Sequence, residues 1–440
     1  MLVEVVILIS VVIVILYYAI FHGIEKRSNL VFVAVLGDLG HSPRIIYHAL
    51  SLVQNNYKVY LLGYDDSCIM KEVLEHPNLS VHYLKKPSTP LHFPKRAFYL
   101  LYLPFKTISL LLNLVMSFII LPAPQHILIQ NPPAVPLMLV ALFFSKLRGA
   151  KLIIDWHNFG YTILALKLGK TSFFVKLYKH YEIFLGKFAD DNFCVTEEMK
   201  KALSACNIKA RKLYDRPPAI FKSLSEEEKI QFFKDFNNNY FNAFPSPNKC
   251  HSVKFIVSST SWTEDEDFTI LYDALKLYSL ARQSQSPHLP AILCIISGKG
   301  PMRSHFEALV RRSPLDHVSI HTVWLAIEDY PRFLAAADLG VCLHLSSSGI
   351  DLPMKAVDML GSGIPVCAVS YRCIDELIIH GVNGLIFKDA RELSLQLQNL
   401  FYCTDNNGSS LLEALRKGAL EFQKRRWTDQ WNEVALPTFR

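Results

Sequence analysis

Three short stretches of this 440-residue chain set acids, bases and glycines at spacings that could do chemistry. The densest runs Ser346-Ser-Ser-Gly-Ile-Asp-Leu-Pro-Met-Lys-Ala-Val-Asp-Met-Leu-Gly-Ser-Gly-Ile-Pro-Val366. A Ser/Gly loop containing Gly349 leads into Asp351 and Pro353, residue types that suit a helix start. Asp351, Lys355 and Asp358 lie four and three residues apart, so a helix over them would present carboxylate, ammonium and carboxylate on one face. The loop's N–H groups would suit a phosphate, and a carboxylate one or two turns in would suit ribose hydroxyls. An ordinary ion pair on a solvated helix has the same spacing. The second stretch, Gly37-Asp-Leu-Gly-His-Ser-Pro-Arg44, follows the apolar run Leu30–Leu36. Asp38 is there a general base or a helix cap, with His41 and Arg44 close enough in sequence to hold it ionised. The third is Asp155-Trp-His-Asn158. His157 is a second candidate base, a donor to a diphosphate or a satisfied loop histidine.

The elements that must position these groups read as alternating strands and helices. Leu30–Leu36, Lys58–Gly63, Ser80–Leu84, Gln125–Gln130 and Lys151–Asp155 are apolar runs of strand length, and Ile45–Gln54 and Pro136–Leu147 are helical. Strand, glycine loop, helix is the first unit of a Rossmann-like sheet, whose ligands bind at the carboxyl ends of the strands. Both Asp38 and His157 fall at such ends. Asp190–Glu198 reads as a strand followed by a helix start. A second alternation begins at Lys254–Ser259 and continues through Ala291–Ser297, Val318–Thr322, Leu339–Leu343 and Pro365–Val369, with helices expected over 264–283, 302–312 and 328–337. The expected organisation is a transmembrane anchor at 1–25, domains at 28–220 and 253–424, a polar linker at 221–252 with a helix opened by Ser225-Glu-Glu-Glu228 and closed by Pro245-Ser-Pro247, and a final amphipathic segment at 425–440.

Composition narrows the class. The chain is 51% hydrophobic and 19% charged, and its net charge of +7 is unevenly spread. Residues 1–220 hold 24 Lys/Arg against 14 Asp/Glu, while 221–440 hold 22 against 25. The basic half suits an anionic membrane or acceptor. No basic stripe interleaved with aromatics supports nucleic acid. Leu2–Phe21 is interrupted only by Glu4 and Ser10 and is long enough to span a bilayer, with Glu25-Lys-Arg27 predicting a cytosolic body. Phe98–Leu121 carries Pro104 and Lys106, so it reads as a helix half-sunk in the membrane more readily than as a second span or a core helix. Nine scattered cysteines without a C-x-x-C pair imply a reducing compartment. Paired Cys/His metal spacings, a P-loop, H-E-x-x-H and G-x-S-x-G are missing from the sequence, so no metal ligands are assigned.

The loop–helix–Gly-x-Pro-Val pattern resembles the donor-sugar signature of GT-B glycosyltransferases, two glutamates separated by seven residues. Asp358 matches the second, Ile350 stands at the first, and Asp351 is one residue late. The string Gly-Ile-Asp-Leu-Pro-Met-Lys-x-Val-Asp-Met, the Gly37–Arg44 loop and Asp155–Asn158 are similar to the chitobiosyldiphosphodolichol β-mannosyltransferases. In that family the first loop reads Gly-Asp-x-Gly-Arg-Ser-Pro-Arg, so His41 replaces an arginine.

The resemblance implies a GT-B fold, two Rossmann-like domains facing a cleft, with the final segment crossing back to the first. It implies transfer of mannose from GDP-mannose to dolichyl-diphosphate-chitobiose, with inversion, on the cytosolic face of the endoplasmic reticulum. Donor binding would fall to Asp358, Lys355, Asp351 and Gly349, with Trp324 over the nucleobase. Ser258-Ser-Thr-Ser-Trp-Thr263 lacks the basic pair common in such donor domains, so Lys299, Arg303 or Lys355 must meet the diphosphate. His41, Arg44 and Asn158 are candidates for the acceptor diphosphate. Asp38 ranks first as base and His157 second. No cofactor is obligatory, since no Asp-x-Asp triplet is present; Mg2+ is left open. Association with other dolichol-pathway transferases fits this setting. The alternatives are another dolichol-pathway GT-B mannosyltransferase, or a catalytically dead membrane scaffold of the same fold.

Overall fold

The computed structural model describes residues 29–69, 71–86, 96–240, 253–263, 266–285, 288–326, 328–402 and 410–440, together with Ser10, Val14 and Tyr17. The chain divides into two compact units, residues 1–214 with 431–440, and residues 215–430.

The first unit is built on a seven-stranded sheet of β1 (Leu30–Asp38), β2 (Lys58–Tyr64), β3 (Leu79–Tyr83), β4 (His126–Asn131), β5 (Lys151–Trp156), β6 (Asp191–Cys194) and β7 (Arg211–Lys212), in the order β3-β2-β1-β4-β5-β6-β7. Every pairing is parallel. Helices cover both faces of a parallel sheet, which is why β1 and β5 are near-continuous apolar runs rather than alternating ones. The first seven residues of β1 are all buried. Gly149, at φ 61°, closes helix Leu137–Arg148 in the left-handed conformation that glycine adopts without strain.

The second unit repeats the design with β8 (Val253–Ser259), β9 (Ala291–Ser297), β10 (Val318–Val323), β11 (Leu339–Cys342), β12 (Val366–Val369) and β13 (Gly384–Phe387), ordered β10-β9-β8-β11-β12-β13. Its core joins Ile256, Leu275, Cys294, Val341, Cys367 and Phe387, all buried. In both sheets the order reverses beside the first strand, so the strand ends that flank it form the crevice where such folds bind ligands.

Some expectations hold and others change. The helix expected after Ser225 in the linker forms as Glu226–Tyr240, but it is not a free connector: Phe232 and Phe236 are buried, and Phe236 stacks on Phe333 within the second unit. Its phenylalanines at four-residue spacing are an apolar face that must be covered. The stretch Phe98–Leu121 is one helix, Arg96–Ile120, running through Pro104. Among the described residues no helix is long and apolar enough to cross a membrane. The expected anchor at 1–25 lies outside the described residues except for Ser10, Val14 and Tyr17. The final segment splits, 425–430 in the second unit and 431–440 in the first. Cys194, Cys294, Cys342 and Cys367 are buried free thiols, as their apolar settings predict.

Candidate active site

In the first unit the expected cluster at the end of β1 forms only in part. Asp38 Oδ1 accepts the backbone N–H groups of Asp66 and Ser67 at 3.0 and 3.1 Å, and Oδ2 meets His41 Nδ1. Ser67 Oγ lies 3.0 Å from the same imidazole nitrogen. Asp38 therefore clasps the loop after β2. Burial pushes its pKa up, but hydrogen bonds from Ser67, His41 and Asp66 outweigh that and hold it below the ordinary range.

Arg44 does not join this cluster. It is fully buried, and its Nε and Nη2 grip Asp155 at 2.7 and 2.8 Å in a bidentate pair. It therefore neither tunes Asp38 nor stands ready for an acceptor, because a buried guanidinium must keep its counter-charge. Asp155 also accepts from His48 Nε2 at 3.2 Å, and His48 Nδ1 accepts the Trp431 indole N–H at 2.9 Å. An indole nitrogen only donates, so Nδ1 carries no proton and His48 is the neutral Nε2–H tautomer. Burial pushes Asp155 up, but Arg44 and His48 override it and leave it well below the usual range.

His157 sits at the end of β5, part-exposed, with Nε2 3.8 Å from Asp155 Oδ2. Asn158, expected to meet a diphosphate, turns its side-chain oxygen to the N–H of Phe159 at 2.7 Å and to the Thr162 hydroxyl, at the start of helix Gly160–Leu168. Buried Glu182 closes the same turn by accepting Gly160 N–H at 2.8 Å and Asn131 Nδ2 at 2.6 Å.

The second unit carries the donor-side candidates. Helix Met354–Gly361 begins one turn later than expected, so Asp351 belongs to the preceding loop and not to the helix face. There it accepts from Ser346 and from Ser348, and His344 Nε2 lies 3.7 Å away. The N–H groups of Gly349 and Ile350, expected to face a phosphate, bond Ser346 and Ser348 hydroxyls at 2.8 and 3.4 Å instead. Gly349 takes φ 75°, so a side chain there would strain the loop.

Lys355 pairs with neither aspartate but with Glu266 Oε1 at 2.6 Å. The other oxygen of Glu266 accepts Thr260 Oγ1 at 2.5 Å and Ser261 N–H at 3.0 Å. Gly298 and Gly300 lie so close to Thr260 and Ser261 that a Cβ would fall 1.8 and 1.9 Å from their carbonyl oxygens. Glycine is thus required where this second loop presses on the first. Between them Lys299 Nζ stacks 4.3 Å over the exposed Trp324 ring, while Arg303 is bound to Glu307 at 2.8 Å.

Asp358 is part-buried on the helix. Burial and the neighbouring carboxyl of Asp215 push its pKa well above the ordinary carboxylate range. The Tyr330 hydroxyl, raised by burial and by Asp358, donates to Ser259 at 3.0 Å. Glu266, Asp215 and Tyr330 were not singled out as site residues by sequence; for Glu266 the acidic run Glu264-Asp-Glu-Asp267 was a local signal. Among the described residues no group of three or more His, Cys, Asp or Glu is arranged to hold a metal ion.

Two parallel α/β units with acids, lysines and close-packed glycines at their strand ends define a GT-B glycosyltransferase. HepE of Anabaena, crystallised with UDP and glucose, superposes with a TM-score of 0.65 at 15% identity, covering 93% of this chain and 99% of that one. Sucrose-phosphate synthase of Thermosynechococcus elongatus gives 0.63 at 16%, covering 93% and 97%. Residues 254–402 match the family model described as glycosyl transferases group 1. The chitobiosyldiphosphodolichol beta-mannosyltransferase of Mus musculus is 39% identical over 93% of this chain and 89% of its own, and that of Yarrowia lipolytica 40% over 94% and 87%. UDP-glycosyltransferase TURAN of Arabidopsis thaliana is 40% identical over 92% and 96%. The chain belongs to the chitobiosyldiphosphodolichol beta-mannosyltransferase family.

Proposed function

We propose that this enzyme transfers mannose from GDP-mannose to dolichyl-diphosphate-chitobiose, forming a β-1,4 bond with inversion at the cytosolic face of the endoplasmic reticulum membrane. The supporting observation is that near-40% identity to the mannosyltransferases runs through both units rather than the family-model segment alone. Inversion needs one displacement. A base takes the proton of the acceptor 4-hydroxyl, the oxygen bonds the anomeric carbon, and the electron pair of the breaking bond leaves on the nucleoside diphosphate. The clasp on Asp38 favours His157 as that base, because an aspartate already accepting three donors is a weak one. Asp38 then positions His41 and the loop after β2 beside the acceptor. Lys299 and Lys355 would meet the departing diphosphate, Trp324 the base and Asp358 the ribose. With cations supplied by side chains, chelation by EDTA should leave turnover within about twofold. Residues 1–25 would anchor the chain.

The test offers the full chain GDP-mannose, UDP-glucose or UDP-N-acetylglucosamine with a lipid-linked chitobiose diphosphate. The expected product forms from GDP-mannose alone and is cut by β-mannosidase. Transfer from a UDP-sugar, as TURAN's name suggests for that relative, or a product cut by α-mannosidase would overturn the proposal.

A further inference from the structure

Helices Gly160–Leu168 and Phe173–Gly186 of the first unit leave large apolar side chains in the open. Phe173 is 71% exposed, Leu166 66% and Phe174 59%, with Leu177, Phe184 and Ile163 also exposed. On the second helix Phe173, Leu177 and Phe184 are spaced by four and seven residues and so leave the same face. Isolated exposed apolar residues are ordinary, but a group of this size on consecutive helices marks a contact surface.

Its charge says what the surface contacts. From Gly160 to Phe188 the chain has five lysines, Lys167, Lys170, Lys176, Lys179 and Lys187, all exposed. The one acid in that stretch, Glu182, is buried and turned inward to Gly160 and Asn131. A protein–protein surface of this size usually carries both charge signs and depletes lysine at its centre. Apolar side chains mixed with lysines and without exposed acid match an anionic bilayer, where the rings enter the headgroup boundary and the lysine heads meet lipid phosphates. Helix Leu137–Arg148, packed beside the second of these helices, exposes Leu139 and Phe143 as well.

We infer that the face made by residues 160–188 is a membrane-docking surface for anionic lipid. The assignment of a lipid rests on the dolichol-linked acceptor proposed above as well as on the charge. The surface would hold the first unit against the bilayer in which that acceptor is embedded.

The experiment places p-benzoylphenylalanine at Phe174, Leu177 or, as a control, exposed Lys58 in the full chain, on vesicles of phosphatidylcholine with phosphatidylserine. Lipid adducts at 174 and 177 but not at 58 are expected. Adducts to a second copy or to another protein, or no adduct at 174 and 177, would overturn the proposal. In parallel, the variant Phe174→Ser/Lys176→Glu/Leu177→Ser should lose at least tenfold in kcat/KM on vesicle-borne acceptor and stay within twofold on a short-chain, water-soluble acceptor. Equal losses on both would also sink it. If the parent turns over neither acceptor, the transfer reading has failed, and the cross-linking still decides the surface.

Discussion

Asp38 and His157 both stand at strand ends of the first unit, but their surroundings differ. The three donors on Asp38 stabilise its ionised form, which suits positioning better than proton abstraction. A missing general base typically costs 10²–10⁴ in rate. His157→Ala should accordingly lower kcat by at least about 10²-fold, whereas Asp38→Asn, which can still accept both backbone N–H groups, should cost about tenfold. The Kd for GDP should hold within threefold or so in both variants, since both residues belong to the first unit and the donor-side candidates to the second. Steady-state kinetics with GDP titration checks the ranking, and the reverse order would return the role of base to Asp38. Asp358 permits a test with a sign. In the free protein, burial and Asp215 favour its protonated form, while ribose hydroxyls are best accepted by the carboxylate. GDP binding should then tighten as pH rises toward the raised pKa and level off above it. Asp358→Asn should abolish that slope, weaken GDP about tenfold, and melt no lower than the parent at pH 7, because it removes a carboxylate that resists ionisation. A pH slope unchanged in the variant would assign it to another group.

At the scale of elements, the donor-side loops are held by one buried acid. Glu266 ties Lys355 on helix Met354–Gly361 to the turn after β8 through Thr260 and Ser261. The Gly298–Gly300 turn after β9 packs directly on that turn after β8. Removing one partner of such a cluster leaves unpaired donors, at a cost of about 2–4 kcal/mol. Glu266→Ala is therefore expected to shift urea unfolding by that amount and to lower GDP affinity, because Lys355 and the Thr260 turn lose their common anchor. Unchanged GDP affinity in a destabilised variant would confine Glu266 to a structural part.

Over the first unit as a whole, one buried chain of polar contacts links three segments, Arg44 and His48 after β1, Asp155 on β5, and Trp431 in the returning terminus. Burial drives the His48 pKa down, partly offset by Asp155. The unfolded chain binds the proton more readily, so this contribution to stability is present above about pH 6.5 and is lost as pH falls below it. Buried His126, driven down to about 4 by burial and Lys151, acts in the same direction. A glutamine at 48 can accept from Trp431 and donate to Asp155 without taking a proton. His48→Gln should flatten the fall in Tm between pH 7 and 5 while His126 leaves a residual slope. A slope as steep as the parent's would exclude His48 from the acid response.

What the sequence by itself determined is what local chemistry sets. Apolar runs such as Leu30–Leu36 and Lys151–Asp155 must be buried on both faces, so they form parallel strands, and the polar turns after them put Asp38 and His157 at the ligand-binding ends. Gly349 and Gly298 are legible as loop glycines for the same local reason. The strands β7 and β13 were not; β7 is two residues long, too short to show any periodicity. Tertiary structure alone decided which charges meet. Arg44 found Asp155, 111 residues away, rather than Asp38; Lys355 found Glu266, 89 residues away, rather than its helical neighbours; and Trp431 found His48 across 383 residues. Burial makes an unpaired charge costly, so each group takes the partner that strand order brings beside it, and spacing along the chain does not encode that order.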